Sequence, residues 1–142
     1  MQVQIKRLDK EIPLPIYHTA GSVAFDLPAR ATIVINPKEM ALVQTGLIVQ
    51  TPPGYFLAIV ARSSTPKKKG LSLANSIGVI DQDYCGPEDE VKILVYNFTN
   101  APVTVERGER IAQGIFVKID RAEFQEVEQI DSPTRGGFGS TG

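Results

Sequence analysis

A chain of 142 residues suits one domain, because this length can bury a single continuous core whereas two cores would each be marginal. A formal charge of −1 and a pI near 5.8 exclude the global basic field that holds nucleic acid or an acidic membrane face, so any phosphate binding must be local. One cysteine, Cys85, and one histidine, His18, exclude an intramolecular disulfide and a Cys/His metal cluster, and the expectation is a reducing, cytoplasmic setting.

The start, Met1 to Ile5, has no basic stretch leading into an apolar one, and no run approaches the roughly 18 apolar residues of a membrane span, so neither export nor a membrane is expected. Apolar residues recur at period two: Val3 and Ile5, then Ile33 and Ile35, then Tyr55, Leu57 and Ile59, then Val91, Ile93 and Val95, then Val103 and Val105. Turn formers separate them at Asn36-Pro37, Thr51-Pro52-Pro53-Gly54, Cys85-Gly86-Pro87 and Arg107-Gly108-Glu109. Many short strands at this spacing predict an all-β sandwich or barrel. One short helix is expected where Ser63-Ser64-Thr65-Pro66 runs into three lysines, with Ser or Thr as N-cap and Pro at the first helical position. Asn97-Phe98-Thr99 matches a glycosylation sequon, a pattern common by chance. Residues 131–142 are too rich in Gly, Ser and Pro to pack as core, which divides the chain into a β domain over 1–130 and a mobile tail.

Four segments carry candidate chemistry. Asp26 lies in an otherwise apolar stretch, Gly21 to Leu27, and a buried acid there needs a partner. Arg62, Ser63 and Ser64 bring a guanidinium, two hydroxyls and a helix start together as a phosphate cradle, while Lys67, Lys68 and Lys69 read as solvated. Asn75 to Gly86 reads as a β-hairpin with Asp81, Asp83 and Tyr84 near its end; Asp81 is either a general base or a turn cap, and Tyr84 a functional or a core aromatic. Arg107 to Gly114 opens a further apolar strand with a tight turn and exposed charges. The tail is either a frayed end or a flap that orders over an anionic, base-bearing ligand.

In order and in combination, these segments resemble the five motifs of the homotrimeric dUTPase family: Ala24-Phe25-Asp26-Leu27, Ala61-Arg62-Ser63-Ser64, Gly78 to Gly86, Gly108-Glu109-Arg110-Ile111-Ala112-Gln113, and Arg135 to Gly142. The resemblance implies a distorted jelly roll, a C₃ homotrimer with interfacial sites, and hydrolysis of dUTP to dUMP and pyrophosphate with Mg²⁺. By the same resemblance Asp81 activates the attacking water and Tyr84 stacks under the deoxyribose. Asn75, Gly78, Val79 and Ile80 read the uracil edge, with Lys92 completing the base end. Arg62, Ser63, Ser64, Arg110 and Gln113 hold phosphates, and Asp26 meets the metal through water. The flap closes with Phe138 and Gly139 on the base and Arg135 on the γ-phosphate. Departures from the family pattern are Ala24 and Ser64 in place of glycines, the insertion Pro87-Glu88-Asp89, and an arginine three residues before Phe138 rather than five. The related dCTP deaminases share the Arg-Ser-Ser segment but need a glutamate where Leu94 stands; a nucleotide-sensing binder without turnover is a second alternative, and a structural or lectin-like jelly roll, which leaves the Arg-, Asp- and Gln-bearing motifs unexplained, a third.

Overall fold

The computed structural model describes residues 1–137. In chain order these form β1 (Ile5–Arg7), β2 (Phe25–Pro28), β3 (Ile33–Ile35), β4 (Met40–Gln44), β5 (Leu47–Val49), β6 (Tyr55–Ala61), α1 (Ser64–Lys69), β7 (Leu71–Leu73), β8 (Gly78–Ile80), β9 (Lys92–Asn97), β10 (Val103–Val105) and β11 (Arg110–Lys118). The expected all-β jelly-roll class holds. Among the described residues no helix is long and apolar enough to cross a membrane.

Strands far apart in sequence pair in four antiparallel sheets, ordered β2-β11-β6-β8, β4-β9-β7, β1-β5 and β3-β10. Their inner faces supply one core that includes Leu27, Ile35, Leu47, Leu57, Ile93 and Ile111. β11 is the spine of the largest sheet, paired to β6 on one side and β2 on the other. Gly114 on β11 faces the Phe25 ring so closely that a Cβ would lie 2.6 Å from two ring carbons, which leaves room there for glycine alone.

Three details differ from the sequence reading. β8 pairs with β6 rather than with a following strand, and Asp81 to Val91 forms a chain of turns instead of a hairpin arm. Ser63 occupies the N-cap position as expected but makes no side-chain capping bond, and Pro66 is the third helical residue and not the first. The folded body ends at Ile119, whose N–H donates to Gly54 O; from Asp120 through Gly137 every residue is exposed, so the extended stretch begins well before residue 131.

Asn97 ties β9 to the turn before β10. Fully buried, it donates through Nδ2 to the carbonyls of Ile35, Asn36 and Ala101 at 2.8–3.1 Å and accepts from the Thr99 N–H and hydroxyl. The sequon asparagine is therefore closed to modification in the folded chain. Asn97→Ala leaves these buried carbonyls without a donor, and urea denaturation should show a loss on the order of 2–3 kcal/mol.

A second tie is ionic. Arg107 Nη2 sits 2.7 Å from both Asp9 and Glu11, clasping the N-terminal segment to the β10–β11 turn. The Glu11 N–H, and after it the Arg107 guanidinium, hold the Asp9 carboxyl below the usual carboxylate range. A depressed acid stabilises the fold fully above its unfolded value, and that stabilisation is lost as pH falls through the lowered folded value. Asp9→Asn should lower the urea midpoint at neutral pH, with the gap to wild type closing as the solution is acidified; a gap that stays constant would assign the effect to shape rather than charge.

Candidate active site

Three strands deliver the first cluster. Asp26 on β2 lies opposite Gln113 on β11, and Arg62 leaves β6 beside Arg110, where β11 begins. The Asp26 side chain is only 6% exposed. Its Oδ1 accepts from Arg62 Nε at 2.9 Å and Gln113 Nε2 at 3.3 Å; its Oδ2 lies 3.1 Å from Arg110 Nη1 and 3.3 Å from His18 Nε2. Arg62 also donates through Nη1 to Arg110 O at 3.0 Å. A carboxylate has about four lone-pair directions, and here each has a neighbour. Asp26, expected near a metal through water, here anchors two guanidiniums.

Two cations against one anion leave an excess of positive charge, and Arg62 and Arg110 present it to a cavity of about 410 Å³ that Ser64 and Lys68 also line. Ser63, at the helix N-cap, is exposed and makes no capping bond with its side chain. Thr65 is instead structural, donating to Ile111 O at 2.7 Å in the interior. Of the three lysines, Lys67 and Lys68 are solvated as expected, whereas Lys69 pairs with Glu109 at 2.9 Å and donates to Thr104 O.

The second cluster stands elsewhere. β8 is the edge of its sheet, with Gly78, Val79 and Ile80 opposite Ile59, Ala58 and Leu57 of β6. A Cβ on Gly78 would lie 3.0 Å from Ile59 Cβ, and Asn75 Nδ2 flanks the same point at 3.7 Å, so glycine is what lets this strand seat against β6. The outward edge of β8 pairs with no strand among the described residues and presents backbone donors and acceptors. Beyond it the chain turns, with Tyr84 N–H directed at Asp81 O and Cys85 N–H at Asp83 O. Backbone groups, not the carboxylates, close this turn: among the described residues neither the Asp81 nor the Asp83 side chain caps it, and both are exposed. Gln82 fastens the turn to Tyr55 O at 3.1 Å, and Tyr84 donates its hydroxyl to Glu90 O, leaving part of its ring exposed. The inserted Pro87-Glu88-Asp89 folds into a turn of its own, with Asp89 accepting from Gly86 N–H at 2.7 Å.

The two clusters do not meet within the chain. Asp81 follows Ile80, which faces Leu57, so it lies level with Phe56; Arg62 stands six residues further along β6, about 20 Å away at the usual rise of a strand. Lys92 stands away from the edge of β8 as well: it opens β9 opposite Gln44 and lines a separate hollow with Thr32, Ile33 and Leu42. Arg135 is exposed on the stretch after Ile119, and Phe138 and Gly139 lie outside the described residues. Sequence reasoning missed His18, beside Asp26, and Glu90, buried with Oε1 on Gly46 N–H at 2.7 Å and Oε2 on Arg30; no local pattern marks either.

A profile of the dUTPase family matches residues 10–142. The chain belongs to the dUTPase family. The deoxyuridine 5'-triphosphate nucleotidohydrolase of Fusobacterium nucleatum is 41% identical over 146 residues, covering 99% of this chain and 98% of that protein; that of Finegoldia magna is 43% identical over 134 residues, 92% of each. Among solved structures, a dUTPase from Streptococcus mutans is 33% identical with a TM-score of 0.79, covering 84% of this chain and 98% of that one. The dUTPase of Staphylococcus bacteriophage 80alpha with dUPNHPP is 26% identical with a TM-score of 0.88 over 99% and 98%. Family membership fits the departures too: Ser64, where a glycine is usual, sits in ordinary helix, and the insertion is absorbed by a self-contained turn.

If Asp26 is the anchor of this dUTPase cluster, Asp26→Asn should cost about 2 kcal/mol in urea denaturation, since the shape survives while two half-exposed guanidiniums lose their anion. An unchanged midpoint would mean that solvent, not Asp26, satisfies them.

Proposed function

We propose that this chain hydrolyses dUTP to dUMP and pyrophosphate, at sites each assembled from more than one copy of the chain in a homotrimer. The observation that carries the reading is the placement of Asp81: an exposed carboxylate, uncommitted to the turn it occupies, beside an edge strand able to read a base. It accepts a proton from water directed at the α-phosphorus, in line with the departing pyrophosphate. Tyr84, tethered through its hydroxyl to Glu90, offers its ring to the deoxyribose and leaves no space for a 2′-hydroxyl. Backbone groups of Gly78, Val79 and Ile80, with Asn75, pair with the uracil edge; a base with the wrong exocyclic group leaves them unpaired.

Arg62, Ser63, Ser64, Arg110 and Gln113 hold the phosphates from a neighbouring copy, which the separation along β6 requires. Exposed apolar residues support an assembly as well: Phe124, 98% exposed, and Ile130 on the extended stretch, and Met40 and Leu42 on the outer face of β4. Arg135, Phe138 and Gly139 close over the γ-phosphate and base as a flap over 131–142. The donor set would suit a metal that arrives with its ligand, since Asp26 is already occupied by protein donors and a hard cation such as Mg²⁺ would need few protein ligands beside the phosphate-holding residues. Mg²⁺, held there with the phosphates, supplies charge neutralisation of the triphosphate. A cytoplasmic setting suits this substrate and the single free thiol.

Asp81→Asn should lower turnover of dUTP by about 10²–10⁴ while nucleotide binding survives, read as pyrophosphate release beside calorimetric titration. A protein that binds dUTP with the same negligible turnover before and after the change would be a nucleotide sensor instead. Ammonia released from dCTP would make it a deaminase.

A further inference from the structure

His18 belongs to none of the motifs that carry the family resemblance, yet its ring reaches the phosphate cluster from outside. The loop that bears it is held on both sides. Tyr17 packs edge-on against Phe25, 5.9 Å between centroids at 88°, and Thr19 is bonded to Ser22 through its N–H at 3.1 Å and its hydroxyl at 2.9 Å. Between these two fastenings His18 Nε2 forms a nearly equilateral triangle with Asp26 Oδ2 at 3.3 Å and Arg110 Nη1 at 3.1 Å, the third side, Arg110 to Asp26, being 3.1 Å.

One ring nitrogen cannot satisfy both neighbours at once. With a lone pair it accepts from Arg110 and faces the carboxylate with nothing to offer; with a proton it donates to Asp26 and opposes the guanidinium. In the first arrangement Arg110 bridges Asp26 and His18, and its outer nitrogen donates to both. Drawing Arg110 toward an anion in the adjoining cavity removes that bridge and leaves Oδ2 of a nearly buried carboxylate short of a donor. A proton on Nε2, placed there by exchange of tautomer, fills the gap without any movement of the pinned loop. Among the described residues the other charged group bonded to Asp26 is Arg62, committed to Oδ1 from just past the end of β6.

We propose that His18 is a positioning residue for phosphate binding: it takes over Asp26 Oδ2 from Arg110, so that the guanidinium can leave for a substrate phosphate while Arg62 and Gln113 stay in place. The inference rests on the reading above that Arg110 serves the phosphates. It assigns His18 no contact with the reacting atoms, and so predicts an effect on binding more than on the chemical step.

Two measurements on wild type, His18→Ala and His18→Gln test it. Calorimetric titration with inorganic tripolyphosphate and Mg²⁺ needs no turnover: His18→Ala should weaken binding about five- to tenfold, and His18→Gln, whose amide can serve either neighbour, should restore it to within about twofold. In steady-state hydrolysis of dUTP, KM should rise by a similar factor in His18→Ala with kcat nearly unchanged, again rescued by glutamine. Equal tripolyphosphate affinities in all three proteins, a wild type that does not bind tripolyphosphate, or a glutamine variant as impaired as the alanine variant, overturns the role of His18. Graded tripolyphosphate binding in a protein that leaves dUTP intact overturns the proposed reaction and spares His18. Hydrolysis of dUTP indifferent to all three side chains does the reverse.

Discussion

The register of β6 with its two neighbours is the constraint on which the rest depends. Antiparallel pairing with β8 sets the proposed base-reading edge and Asp81 level with the start of β6, and pairing with β11 sets Arg62 and Arg110 at its other end. Seven residues of strand are too long for one nucleotide phosphate to touch both ends. The fold thus builds two half-sites on one rigid element and keeps them apart, and the proposed reaction needs copies of the chain to bring unlike halves together. A division of this kind also lets each half be ordered by its own packing before any ligand arrives, which lowers the cost of organising the groups on binding.

Each half uses a different device to stay in place. At the phosphate end one nearly buried carboxylate orders Arg62, Arg110 and Gln113, so their positions are set by the interior of the sheet and not by the ligand. At the other end the turn's own carboxylates, Asp81 and Asp83, stay exposed. The turn after β8 is closed by its own backbone and stitched to the body through Gln82 and the Tyr84 hydroxyl, and Glu90 is in turn fixed by Gly46 and Arg30. The first arrangement suits a polyanion, which meets pre-aimed guanidiniums; the second suits a neutral, flat base, which meets a fixed row of amides and carbonyls.

Much of this was legible in the sequence where the signal is local. Alternation announced β6, β9 and β10, and the isolated acid at Asp26 announced its need for partners, although not that it would have four. Strands buried on every residue, β2 and β5, show no alternation and passed unseen. Glycines at 78 and 86 read as a hairpin because turn residues advertise the nearest return of the chain, whereas the true partner of β8 lies some twenty residues upstream. Lys92, which the resemblance puts at the base end, stands on a strand of another sheet from β8, a placement no local pattern announces. His18 and Glu90 gave no sign at all, since a single polar residue acquires meaning only from what the fold places beside it.

The proposed division of labour between copies is tested most directly by mixing two inactive proteins. Asp81→Asn lacks one half-site and Arg62→Gln the other; unfolded together and refolded as mixed assemblies, they should regain dUTP hydrolysis, to about one quarter of the wild-type rate at equal amounts, because that fraction of randomly assembled interfaces pairs two intact halves. Mixed assemblies that form but stay as inactive as either parent would mean that Arg62 and Asp81 act within a single chain, and would contradict the account.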